Sequence, residues 1–376
     1  MICDTDTGKI TYAGVDVESP PDCEELDARG QYIAPGFIDI HTHGAGGHAV
    51  MDGTVEAFRE TAKVHARYGT TALVPTTFSS SLTALKNTIE LFEEAKASNG
   101  EGARLLGLHF EGPYFAQSRR GAQNPAFIKD PDPAEYEQVL GWSSDILRWT
   151  AAPELPGGME FGRFLRDHGV LPCIGHTDAL GSEVEEAFES GYTLVTHLYS
   201  GMSGYRTVNA YRHGGAIEAA LEIDEMAVEI IADGAHLPAE LLRLIYKVKG
   251  PSRIALVTDS MRAAGLPEGD SFIGAKGEER RVIVEDGVAK LPDRSSFAGS
   301  VATMDRLVRT MTHLVGVPII DAVRMATSTP ASLIGRGSRI GTLSPGLDAD
   351  VVVFDEDIRI AHTVVGGKII YQKEPR

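Results

Sequence analysis

The chain is poor in several things, and each shortage removes a class of function. It has three cysteines, Cys3, Cys23 and Cys173, with no CxxC spacing. That is too few to staple a fold and fits a reducing cytoplasm. Positive charge is scarce: 35 Lys and Arg against 53 Asp and Glu give a formal charge of −18. A nucleic-acid binder or a protein for anionic membranes needs a basic footprint, so both are excluded. An anionic small molecule would need positive charge supplied locally at its site. No stretch approaches the 18 or so apolar residues of a membrane span. The first residues, Met1-Ile2-Cys3-Asp4-Thr5-Asp6, lack a basic segment followed by an apolar one, so no export signal is expected.

What remains is an ordinary globular composition, 43% hydrophobic and 23% charged over 376 residues, enough for one large core and a small appended unit. From Ile33 onward, apolar strands alternate with amphipathic helices. Strand candidates are 33–41, 71–77, 105–111, 148–153, 171–176, 193–198, 227–233 and 253–259. Helices such as Val55–Tyr68, Leu82–Ala97, Glu183–Ser190 and Ala239–Lys247 separate most of them. A doubly wound sheet is the alternative, but a count of eight favours a closed (β/α)8 barrel of the α/β class, with its active site at the strands' C-terminal ends. A hairpin-like insertion is expected at about 270–292, then helices around 302–315 and 319–334, the second begun by Pro318. Short strands at the start and at Ala349–Phe354, Ala361–Val365 and Lys368–Tyr371 are expected to combine into one small β-sandwich domain. This makes 1–32 with 340–376 the β domain and 33–339 the barrel.

The polar residues at the strand ends carry the chemistry. In Pro35-Gly36-Phe37-Ile38-Asp39-Ile40-His41-Thr42-His43-Gly44, the two histidines share a face because strand side chains repeat with period 2. The glycines after them leave room for a ligand. Later strands end at Glu111, His176, His197 and Asp259. Four imidazoles and two carboxylates at one end of a barrel suit a divalent metal that accepts nitrogen and oxygen, such as Zn²⁺ or Fe²⁺. Such a metal lowers the pKa of bound water toward about 7. Asp259 is then the candidate to take that water's proton and hand it to a leaving amine, giving amide hydrolysis. His109, among apolar neighbours, is expected to pack or to support the ligands, and Met304 and Met325 to be core. His48, His65, His168, His313 and His362 are assigned no role.

The motifs PGFIDIHTHG, LHFEGPYF, GHTDA, THLYSGMSG, LVTDSM and RMATSTPA together resemble the N-acetylglucosamine-6-phosphate deacetylases of the amidohydrolase superfamily over nearly the whole chain. Glutamate stands where other amidohydrolases carry a carbamylated lysine. The resemblance implies a barrel with a β-sandwich, a homodimer in the cytoplasm, and removal of acetate from an amino-sugar phosphate. It implies Glu111, His176 and His197 as the metal ligands, His41 and His43 as a second-metal pair, so one or two ions, and Asp259 as the catalytic carboxylate. Gln123 stands where many members have a histidine for the acyl oxygen, in Arg120-Gly121-Ala122-Gln123, and an amide cannot carry charge. Ser200 and Gly201 replace an asparagine-alanine pair, and their backbone remains able to hold phosphate. His236 matches a substrate-binding histidine. Arg206, Arg212 and His213 are the nearest candidates for the arginine that members donate from a neighbouring subunit. Two other readings stand beside this one: the same deacetylation of N-acetylgalactosamine 6-phosphate or another N-acyl amino-sugar phosphate, and a non-catalytic sugar-phosphate binder that kept the barrel.

Overall fold

The computed structural model of the chain describes residues 1–15, 20–21 and 23–374. Eight parallel strands form its centre: β1 (Phe37–Thr42), β2 (Thr70–Thr77), β3 (Leu108–Glu111), β4 (Ile146–Ala151), β5 (Leu171–Ile174), β6 (Leu194–Val195), β7 (Ala227–Ile230) and β8 (Ile254–Leu256). Each hydrogen-bonds to the next in chain order. Closure comes just beyond β8. Asp259 N–H donates to the His41 carbonyl at 2.9 Å and His43 N–H to the Ser260 carbonyl at 2.8 Å. The eight-unit rhythm of the sequence therefore closes into the barrel it predicts.

The strands are buried on both faces, which is why they read as nearly continuous apolar runs. The helices turn one apolar stripe inward. In Val55–Ala66 the buried residues include Phe58, Ala62 and Val64, and Thr54 caps its start by accepting from Ala57 N–H. The helix expected at 319–334 is two, Ile319–Ala326 and Ser328–Leu333. Pro330 has no N–H to give the Ala326 carbonyl, and the chain breaks at Thr327 (φ −136°, ψ −86°). The helix expected around 302–315 is α-helical over Met304–Arg309 and continues as a π-helical turn, Thr310–Val315. Met304 and Met325 are fully buried. The insertion forms a three-stranded antiparallel sheet, Gly269–Ile273, Arg280–Glu285 and Val288–Lys290.

The two ends of the chain meet on one flank. Tyr32–Pro35 pairs with Val351–Phe354, followed by Ile360–Val365 and Lys368–Gln372, in a four-stranded antiparallel sheet. The hairpin of Ile2–Asp4 and Lys9–Tyr12 joins it through backbone bonds from Ile10 to Leu347 (2.9 Å) and from Ala349 to Gly8 (2.8 Å). The expected strand 33–41 is thus two strands serving two sheets, and the first segment's contribution to the flanking sheet runs past residue 32 to Pro35. Gly36 makes the passage: a Cβ there would stand 2.1 Å from the Thr71 side chain, so only glycine lets the chain cross so close to β2. Among the described residues, no helix is long and apolar enough to cross a membrane.

Candidate active site

His41 and His43 leave the end of β1, Glu111 ends β3, and His176, His197 and Asp259 follow β5, β6 and β8. The last three have positive φ, 49°, 32° and 47°. The left-handed region is costly for residues with a Cβ, and it turns these side chains off the strand direction into the barrel mouth.

Glu111 is the hub. Its Oε1 lies 2.9 Å from His197 Nε2 and 3.2 Å from His176 Nε2; its Oε2 lies 3.2 Å from His43 Nε2. His41 Nε2 is 3.3 Å from His43 Nε2, and Asp259 Oδ1 is 3.2 Å from His43 and 3.5 Å from His41. Two possible ligand groups result, His41–His43–Glu111 and Glu111–His176–His197, sharing the glutamate.

Hydrogen bonds on the far side of the rings show that this set fits a cation. His43 Nδ1 faces the Thr76 carbonyl (3.1 Å) and His176 Nδ1 the Arg119 carbonyl (2.8 Å). His41 Nδ1 faces Glu229 Oε2 (3.2 Å). Each of these acceptors takes the proton on Nδ1, so each Nε2 turns a lone pair toward carboxylate oxygen or another imidazole. Lone pairs against anionic oxygens repel unless positive charge lies between them. Tetrahedral bonds of about 2.0–2.1 Å give ligand–ligand edges of about 3.3 Å, the spacing of these donors. Without a cation there, a proton takes its place at His43: burial would lower the pKa, but the carboxylates of Asp259 and Glu111 override it and raise it to about 9. Against the same burial, His41, His176, His197 and His43 hold Glu111 well below the carboxylate range, and His41 and His43 lower Asp259.

A cavity of about 240 Å³ opens above these groups, walled by Gln123, Tyr199, Ser200, Gly201, His236, Ile273 and Phe297 among others. Gln123, Ser200, Gly201 and His236 therefore stand at the cavity with the metal candidates. Asp233 orients His236, meeting its Nδ1 at 2.8 Å. Arg206, Arg212 and His213 do not line the cavity. They lie on an outward hairpin, Arg206–Val208 and Tyr211–His213, where Arg206 is held by its own chain's Asp178 at 3.1 Å.

The family resolves what such a barrel mouth is. The profile of the amidohydrolase family matches residues 32–370. The chain belongs to the amidohydrolase family. Its amidohydrolase relatives include the N-acetylglucosamine-6-phosphate deacetylase of Lysinibacillus sphaericus, 32% identical over 93% of this chain and 88% of that one. The N-acetylgalactosamine-6-phosphate deacetylase of Escherichia coli O157:H7 is 33% identical over 93% of this chain and 90% of its own. Among solved structures, N-acetylglucosamine-6-phosphate deacetylase from Pasteurella multocida superposes with a TM-score of 0.89 at 27% identity, covering 96% of this chain and 93% of that one.

Sequence reasoning missed the support beneath this amidohydrolase site. Arg148 on β4 and Glu229 on β7 form an ion pair with no solvent exposure, and Glu229 also holds His41. The available signal was a charged residue at an inward register inside the apolar runs Ile146–Ala151 and Ala227–Ile230. Phe78, stacked on His43 at 4.0 Å, was missed as well. His109 is buried beside the ligands, bonded to Thr150 Oγ1 at 2.7 Å.

Proposed function

We propose that this chain hydrolyses the N-acetyl group of N-acetylglucosamine 6-phosphate to glucosamine 6-phosphate and acetate. The observation that carries this reading is the convergence of Glu111, His176 and His197 with Asp259 on the floor of one cavity. The same chemistry on N-acetylgalactosamine 6-phosphate is the second reading, favoured by the equal similarity to a relative of that name.

Glu111, His176 and His197 would hold one divalent ion, and His41 and His43 a second that shares Glu111. Zn²⁺ or Fe²⁺ suits these donors. When bound, the metal supplies Lewis acidity and brings the pKa of its water toward about 7. Asp259 accepts the proton of the attacking water and returns it to the amine nitrogen as the C–N bond breaks. The Gln123 amide donates to the acyl oxygen. His236 and the backbone of Ser200 and Gly201 hold the sugar phosphate. The outward hairpin would present Arg212 and His213 to a second copy in a homodimer, with Arg206 fixed by Asp178. A barrel that begins after Pro35 and runs to 339, with a β unit built from both termini, working in the cytoplasm, completes the proposal.

The test is acetate release from both N-acetylhexosamine 6-phosphates by protein loaded with Zn²⁺ or Fe²⁺, repeated after chelation. Turnover abolished by chelation and restored by metal is expected, and kcat/KM for the two sugars ranks them. No turnover of either sugar with metal bound would leave a barrel that only binds.

A further inference from the structure

The chain carries a formal charge of −18, which opposes any phosphorylated ligand, and among the described residues no lysine or arginine lines the cavity. Most nearby arginines are already neutralised. Arg119 and Arg206 both engage Asp178, Arg262 engages Asp52, and Arg294 engages Glu285. Arg306 is bound to the carbonyls of Gly287 and Asp233.

Arg120 and Arg280 are different: among the described residues, neither has a carboxylate partner. The one hydrogen bond of the Arg120 side chain goes to the Gln117 carbonyl at 3.0 Å. Arg120 directly precedes Gly121, which forms cavity wall. Arg280 lies directly opposite Ile273 in the antiparallel inserted sheet. Directly opposite residues project from the same sheet face, and Ile273 lines the cavity, so the Arg280 side chain rises beside it. The two guanidinium groups sense one another: burial, and after it the charge of Arg120, pulls Arg280 below the usual arginine range. The Arg119–Gly121 turn also abuts Gly201, where an added Cβ would stand 2.9 Å from the Arg119 carbonyl. Two arginines standing beside wall residues of the cavity, without a carboxylate partner among the described residues, repel, and a phosphate with its several oxygens relieves that repulsion while accepting bidentate hydrogen bonds.

We propose that Arg120 and Arg280 form a clamp at the cavity mouth that binds the substrate's phosphate from within the same chain. This rests on the reading of the chain as an amino-sugar-phosphate deacetylase. The clamp gives each subunit a positive phosphate site of its own, whatever a neighbouring hairpin adds.

The test compares Arg120→Met, Arg280→Met and the double variant with the unsubstituted chain. Each is assayed for kcat and KM on N-acetylglucosamine 6-phosphate and on N-acetylglucosamine, with metal content measured. Methionine keeps an apolar stem without the charge. A charge-assisted hydrogen bond sets the scale, so preference for the phosphorylated sugar is expected to fall roughly 10–100-fold per variant, mainly through KM. Arg280→Lys should recover part of it. An unchanged preference in the double variant would overturn the clamp. No turnover of either sugar by the unsubstituted chain would instead overturn the deacetylase reading. Calorimetric binding of inorganic phosphate would then decide the clamp, and equal binding by the unsubstituted chain and the double variant would end it.

Discussion

Gln123 donates from its amide nitrogen to Glu111 Oε2 at 2.7 Å and accepts from the Ser79 backbone N–H at 2.9 Å. Those two bonds pin a neutral side chain against the carboxylate at the centre of the site and leave one amide hydrogen free for a ligand. Gln123→Ala strands the buried Ser79 N–H, costing about 1–3 kcal/mol. It also removes the donor proposed for the acyl oxygen, worth roughly 10²–10³ in rate. Steady-state kinetics and a denaturant melt on the same sample separate the two losses. Full activity in the alanine variant would dismiss the acyl-oxygen role.

Asp259→Asn keeps the shape of the side chain and one oxygen beside His43, but it cannot accept the water's proton. We expect kcat to fall by about 10²–10⁴. Metal analysis should still find ion at Glu111, His176 and His197. Wild-type turnover by a metal-loaded Asn variant would show that another group moves the proton.

Arg148 reaches Glu229, the Ile40 carbonyl (3.1 Å) and Thr196 Oγ1 (3.1 Å) in the barrel interior. Breaking a buried pair by removing one partner leaves a charge uncompensated, at a cost of about 3–5 kcal/mol. Arg148→Met or Glu229→Gln alone should therefore lower the urea midpoint sharply. The two together should cost less than the sum. Simple additivity of the two single losses would argue that the residues do not act as a pair.

His65 is buried against Thr42 Oγ1 and Ser260 Oγ, both at 3.1 Å, and burial holds its pKa down at about 4 against an ordinary 6.5. Between those values the unfolded chain binds the proton and the folded chain does not. Its stabilising contribution is thus complete above about pH 6.5 and lost as pH falls toward 4. At pH 5 the loss relative to pH 7 should be about 2 kcal/mol. Urea melts of the wild type and His65→Gln at both pH values isolate this contribution. Equal pH slopes for the two proteins would rule it out.

The barrel and the identity of its mouth were legible in the chain because both rest on local pattern. An apolar run bounded by helices reads as a strand, and a His, Glu or Asp where that run stops must lie at the strand's C-terminal end. The histidines at 41 and 43 share a face by period alone. Eight strand ends, five of them carrying the metal candidates or Asp259, could be recognised without knowing how any two of them pack.

What the tertiary structure alone decided depends on contacts between distant segments. Period 2 says which residues share a face, but only closure of β1 against the chain beyond β8 says that Arg148 faces Glu229 and that Glu229 steadies His41. The division of residues 32–42 between two sheets turns on Gly36 passing Thr71. The engagement of Arg206 by Asp178, and the lack of a carboxylate partner for Arg120 and Arg280 among the described residues, depend on which carboxylates the fold brings within reach. Residue type and spacing determine the local chemistry each strand end can offer. Long-range packing determines which charges are already spent on one another and which remain to meet a ligand.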